Sequence, residues 1–316
     1  MELAFMHDTK IDFIGKRYIF FGVSAVLILA GLLSLIIRGG PNYGIDFSGG
    51  SLIQMSFASP VKIDDVRTAL SAGGLSGLEL QSALSGSRSS IIMRLKKTEI
   101  TQDELTAKIN AIMKQKYPDN QFAIERTEFV GPAVGRHLFK QAMLALVFSF
   151  AGIIVYVAFR FHSGVWGAAG VIGIMHDVFI VFGLFSLFNK EITLTIVAAF
   201  LTVAGYSIND TIVIFDRIRD NMRMLTKEKF GDLINKSINQ TLSRTIITSL
   251  TVFIVVVALF FWGGDVLHDF AFALLVGVIV GSYSTIFVCT PMIYEWEEAK
   301  KRRTAAMYAG KRAGQK

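Results

Sequence analysis

Six stretches of this chain, 18–37, 139–159, 165–188, 192–215, 244–262 and 270–293, are long and overwhelmingly apolar. At 1.5 Å of rise per residue, about 20 helical residues cross a hydrocarbon core of about 30 Å. Backbone groups find no water there, so each such run must satisfy its own N–H and C=O groups as a helix. A polytopic membrane protein of six helices is the architecture to expect. Composition agrees, since only 18% of residues are charged, against about a quarter in soluble domains. The first run follows Lys10, Lys16 and Arg17 and outlasts the apolar core of a signal peptide, so it reads as a retained span rather than a cleaved leader.

Basic residues set the orientation. Lys10, Lys16 and Arg17 make up the first group and Arg217, Arg219, Arg223, Lys227, Lys229 and Lys236 the second. Lys300, Lys301, Arg302 and Arg303, in the tail 294–316, complete the set. With six spans all three groups fall on one side, predicted to be the cytoplasm, with both termini there. The net charge of +7 is then a mark of membrane orientation, with the tail free to meet anionic lipid, and nucleic acid is not an expected partner. The single cysteine, Cys289, allows neither a disulfide framework nor a thiolate metal site.

The segment 38–138 lies between the first two spans, on the opposite side, and is predicted to be a small folded insert. It opens on a turn-rich loop, Gly39 to Gly50, whose glycines permit close backbone approach and which on its residues alone reads as a plain exit loop. Residues 51–57 alternate as a strand, and Lys62–Ala72 has helical spacing. Residues 78–84 and 90–96 are strand-like, separated by a hairpin-length turn over 85–89. Thr101 and Glu104 form a capping box ahead of a helix stopped by Pro118, and 122–130 is extended. The order β-α-β-β-α-β is that of the ferredoxin-like fold, an α+β domain.

Enzyme signatures are absent. There is no glycine loop ending in Lys-Ser or Lys-Thr and no His-Glu-x-x-His, so no catalytic site, metal or nucleotide is expected. The polar residues inside the spans are the candidates. A carboxylate at mid-membrane costs about 2.5–3.5 kcal/mol on insertion scales, so its presence suggests a task. Asp210 stands in the fourth run, with Ser207 one turn earlier and Asn209 beside it. Arg244, at the start of the fifth run, is its natural countercharge. Pairing and separating such groups in low dielectric changes how tightly the carboxylate holds a proton. Asp177, after His176 in the third run, is a second carboxylate nearer mid-span. The plainer alternative is that Asp210, five residues before Phe215, snorkels to the interface and that Arg244 does likewise. Gly167, Gly170 and Gly173, and Gly277-x-x-x-Gly281, would let helices pack closely.

Three groups of residues resemble the SecD/SecF family of export proteins. They are Gly44-Ile45-Asp46-Phe47-Ser48-Gly49-Gly50, Val130-Gly131-Pro132-x-Val134-Gly135, and Gly205 to Val213 followed by Asp216-Arg217, with Thr241 to Ser249 as a further match. The resemblance implies a bacterial inner-membrane subunit of the RND superfamily with half the usual twelve-span set and a periplasmic domain. It implies SecD as partner, the SecYEG channel and a preprotein substrate beyond it, and a functional link to the motor SecA. The proton gradient would take the place of a cofactor, with Asp210 titrating, Arg244 as its partner, Asn209 and Ser207 shaping the site and Asp177 in support. Two other readings stay open: half of an RND small-molecule or ion transporter, and a passive adaptor of the channel in which Asp210 and Arg244 have no role.

Overall fold

The computed structural model describes residues 9–75, 77–85, 88–95, 101–161, 164–224 and 228–313. In chain order its elements are α1 (Arg17–Arg38), α2 (Ile45–Ser48), β1 (Gly50–Phe57), α3 (Ile63–Ala72), β2 (Leu78–Ser85), β3 (Arg88–Leu95), α4 (Gln102–Lys116) and β4 (Phe122–Val130). There follow α5 (Pro132–Phe161), α6 (Gly164–Leu187), α7 (Leu194–Met224), α8 (Phe230–Trp262) and α9 (Gly264–Ser284). A π-helical turn (Thr285–Cys289) then leads into α10 (Thr290–Ala313). Six of these segments are long and apolar enough to cross a membrane, counting α9 to α10 as one. The fold is the expected six-helix bundle with one small α+β domain.

The helices outrun the apolar stretches. α5 begins at Pro132, well before 139, with proline in the first turn, where its missing N–H costs nothing. α7 continues past Phe215 to Met224, and α8 starts at Phe230 rather than 244. The tail from 294 to 313 is helical too, since Met292 to Ala309 contains neither glycine nor proline. The π-turn comes just before Pro291. That proline lacks an N–H and its ring crowds the carbonyl four residues back, so widening the turn relieves both conflicts.

The antiparallel sheet has strand order β2-β3-β1-β4, the ferredoxin-like arrangement. Ile53, Met55 and Phe57 of β1 pack on Val66, Leu70, Leu105, Ile109 and Met113 of α3 and α4. The alternation of β1 puts Leu52, Gln54 and Ser56 on the opposite face, and every residue of β1 is buried. Its second face lies on the bundle rim, beside Ile196 of α7 and Val266 and Phe270 of α9. The capping box is present: Glu104 N–H donates to Thr101 Oγ1 at 3.4 Å and Thr101 N–H to Glu104 Oε2 at 3.3 Å. Part of the hairpin turn, residues 86–87, lies outside the described residues, as do Lys96, His162 and Lys227.

The bundle has two apolar cores. One, on the domain side, joins Phe47 to Phe185, Ile192, Phe200 and Ala273. The other, towards the termini, includes Phe13, Ile14, Phe161, Trp166, Phe215 and Ile293. Small residues set the spacing. Gly31 of α1 faces Gly183 of α6 so closely that a Cβ on Gly31 would lie 2.7 Å from the Cα of Gly183. Glycine there is a packing requirement.

Candidate functional site in the helix bundle

Gly277 and Gly281 bring α9 hard against α7. A Cβ on Gly281 would lie 3.2 Å from Ser207 Cβ, and one on Gly277 would collide with Val203. The Gly-x-x-x-Gly spacing is therefore a seat for the helix that carries Asp210.

Asp210 is 4% exposed. The carboxylate is packed inside the bundle on α7, which continues beyond it to Met224. Its Oδ2 accepts one long hydrogen bond, 3.5 Å, from Ser249 of α8. Ser249 Oγ is 2.6 Å from Ser282 of α9 and accepts from Tyr206 of α7 at 3.0 Å. The carboxylate thus looks onto a small hydroxyl cluster shared by three helices.

The structure changes the expected roles of its neighbours. Arg244 forms no ion pair among the described residues; it is exposed and acts on Asp210 through space without touching it. Five residues separate Arg244 from Ser249, about 140° around the helix, so the two cannot share a face. Asn209, about 100° from Asp210, is exposed and does not line the site. Ser207 does not join Asp210 either. Its hydroxyl donates to Asp177 Oδ2 at 2.5 Å.

Asp177, expected only in support, is the centre of the larger polar network. It is 0% exposed, and His176 beside it 6%. Oδ2 accepts from Ser207 and, at 2.8 Å, from Ser284 of α9. Oδ1 lies 2.8 Å from His176 Nδ1. From the far side of the imidazole, Nε2 is 3.0 Å from Ser24 of α1, and Ser24 is 3.1 Å from Tyr283 Oη. Tyr283 Oη donates to the carbonyl of Phe20 at 2.7 Å. One buried dyad ties α1, α6, α7 and α9 together.

The glycine-rich loop forms a second structural centre at the outer rim. Gly44 N–H donates to Ile192 O at 3.0 Å, and Asp46 Oδ2 accepts from Leu194 N–H, the first residue of α7, at 2.9 Å. Gly49 has φ +69° and Gly50 φ +130°, backbone that glycine adopts without strain. Gly135 of α5 lies against the Phe47 carbonyl, where a Cβ would come within 3.0 Å. The two glycine motifs therefore meet. Next to them Arg94 of β3 pairs with Glu191 at 2.8 Å, both largely buried, at the edge of a cavity of about 140 Å³. Lys190 and Asp269 close the same rim at 2.5 Å.

Sequence reasoning singled out the two carboxylates, reached Tyr206 and Ser249 only as members of the family motifs, and missed Ser24, Ser282, Tyr283 and Ser284. A hydroxyl in an apolar helix is common, and only its partner reveals it. His176 carried a signal, an imidazole next to an aspartate in mid-span.

Residues 108–299 match the family described as protein export membrane protein SecD/SecF, C-terminal, and residues 34–61 match the SecD/SecF GG motif. The protein translocase subunit SecF of Endomicrobium trichonymphae is 50% identical over 301 residues, covering 95% of this chain and 96% of that relative. SecF of Calditerrivibrio nitroreducens is 42% identical, covering 94% and 97%. The crystal structure of SecDF from Thermus thermophilus superposes with a TM-score of 0.84 at 32% identity, over 93% of this chain and 40% of that one. SecDF in its super-membrane-facing form gives 0.70 at 34% identity, over 96% and 41%. The chain thus spans about two fifths of each SecDF chain. On its sequence, its glycine motif and its fold, this membrane protein belongs to the SecF family of protein translocase subunits.

Proposed function

We propose that this chain works with SecD as the accessory half of a protein-export complex in the bacterial inner membrane. In this reading it uses the proton gradient to promote movement of preprotein emerging from the SecYEG channel, after SecA has acted in the cytoplasm. The termini are cytoplasmic, the domain 38–138 is periplasmic, and the chain carries no catalytic site or cofactor of its own.

One observation supports the coupling above all. Among the described residues, Asp210 is buried in a bundle helix with a single 3.5 Å hydrogen bond and no cation in contact. An ionised carboxylate so poorly solvated is costly, so its charge must be met by a proton or by a partner. Asn209 and Arg244 are polar groups on faces of α7 and α8 that this chain leaves uncovered. A second six-helix half is the natural cover, and it would bring its own polar groups towards Asp210.

The test is preprotein translocation into inverted vesicles with and without a proton gradient, comparing the unaltered protein with Asp210→Asn. The amide keeps size and hydrogen bonding and removes titration. Loss of gradient stimulation with intact assembly with SecD supports coupling through Asp210. A variant that responds to the gradient like the unaltered protein sinks it and favours the passive adaptor.

A further inference from the structure

Counting hydrogens in the network around His176 leads beyond the Asp210 site. Four contacts run in series: Asp177 Oδ1 to His176 Nδ1, Nε2 to Ser24 Oγ, Ser24 Oγ to Tyr283 Oη, and Tyr283 Oη to the Phe20 carbonyl, all between 2.7 and 3.1 Å. Each is a hydrogen bond only if one hydrogen lies in it.

The carbonyl of Phe20 has none to give, so Tyr283 must donate its only hydrogen there. Ser24 must then donate its own to Tyr283. Nothing remains for the contact between Ser24 and the imidazole except a hydrogen on Nε2. With Nε2 protonated, a neutral imidazole leaves Nδ1 bare, facing a carboxylate oxygen 2.8 Å away. Two acceptors at that distance repel, so a further hydrogen must lie between them. Oδ2 cannot be its source, because Ser207 and Ser284 already donate to that oxygen.

We propose that His176 and Asp177 form a second proton-holding site, in which one exchangeable proton is shared between Nδ1 and Oδ1 while Nε2–H is fixed by the chain through Ser24 and Tyr283 to the backbone of α1. The pair is net neutral, whether written as imidazolium and carboxylate or as imidazole and carboxylic acid. That suits its burial, because a neutral pair avoids an uncompensated charge in low dielectric. The titratable groups facing it are Tyr283 from α9 and Cys289 from the π-turn. Ser24 and Ser207 face it from α1 and α7, and no Lys, Arg, Glu or other Asp touches it among the described residues. Removing the shared proton leaves two acceptors opposed inside α6, next to the Ser207 and Ser284 contacts that seat α7 and α9. Occupancy of this site therefore bears on the packing of the helix that carries Asp210. The inference stands on geometry and holds whether or not Asp210 couples to a gradient.

The test reads Nε2 directly. The full chain is labelled with 15N-histidine and placed in lipid bilayers, with His7, His137, His162 and His268 replaced by Gln so that only His176 gives a signal. Solid-state NMR at neutral pH is expected to show Nε2 in the protonated range. A bare Nε2 overturns the proposal, since it would mean that Ser24 donates to the ring. Tyr283→Phe supplies the second arm. Without the phenol, Ser24 can donate to Nε2 and the neutral tautomer with Nδ1–H satisfies every contact, so the Nε2 resonance should move towards the unprotonated range. A resonance unmoved by Tyr283→Phe also overturns it.

Discussion

Asp46 Oδ2 accepts a hydrogen bond from the backbone N–H of Leu194 at 2.9 Å, joining two residues 148 positions apart. The first N–H groups of a helix have no partner within it, and a carboxylate there meets both the free donor and the positive end of the helix dipole. The glycine-rich loop thereby satisfies a free N–H of the first turn of α7, beside the helix's own cap, Thr193, whose Oγ1 accepts from Ile196 N–H at 3.4 Å.

Asp46→Ala is expected to cost about 1 kcal/mol, the range of a lost hydrogen bond, seen as a lower midpoint of thermal unfolding in detergent. Asp46→Asn should retain part of the effect, because its amide oxygen still accepts. Equal midpoints for all three proteins would show that the contact contributes nothing.

The pairing of Arg94 with Glu191 joins the domain to the loop between α6 and α7, with side chains only 12% and 10% exposed. Each single alanine variant should raise hydrogen exchange in β3 and in the first turn of α7. A double-mutant cycle on unfolding should return a coupling of about 0.5–3 kcal/mol, the range for contacting residues. Additive single effects would mean that the domain is held by β1 and the apolar rim alone.

Much of this was legible in the sequence because hydrocarbon imposes a simple rule: the six spans, the β-α-β-β-α-β insert and the Thr101 capping box follow from length, period and local chemistry. What escaped it was direction. Sequence proximity placed Ser207 and Asn209 with Asp210, but on α7 they point to different neighbours, Ser207 to Asp177 and Asn209 outward. Arg244 is the right charge near the right depth and still makes no contact, because its partner face belongs to Ser249. The extended ends of α7 and α8 are polar and so gave no hydropathy signal. They are held by tertiary contacts such as Asn221 to Ser237 and Gln240, each at 2.8 Å.

Gly281 lies where α9 crosses Ser207, so the size of the residue at this position determines whether both helices can still reach Asp177. Gly281→Ala needs a displacement of a few tenths of an ångström and should be tolerated with a small loss of stability. Gly281→Leu must push α7 and α9 apart, at about 1–3 kcal/mol for overpacking, and should lower the unfolding midpoint well beyond the alanine variant. Leucine tolerated as well as alanine would show that the crossing is loose.

The segment before α1 lies along α8, and Asp12 is its anchor. Oδ1 of Asp12 accepts from Gly15 N–H and from Asn235 Nδ2, both at 2.8 Å, while Asn235 Oδ1 receives the N–H groups of Phe13 and Ile14 at 3.0 Å. The Gly15 backbone hydrogen bond, then that of Asn235, hold the Asp12 carboxyl below the usual carboxylate range, with Lys16 and Arg17 adding to it. A group whose folded value is lowered contributes stability that is fully present above its unfolded pKa, about 3.9, and lost as pH falls through the folded value. A spin label at Thr9 should therefore report an immobile segment at pH 6 and a mobile one as the pH drops below that range, in detergent with the full chain. Asp12→Asn keeps an acceptor for Gly15 and has no proton to gain, so its label should lose this acid step. If the variant releases the segment at the same pH as the unaltered protein, another carboxylate holds it and Asp12 does not.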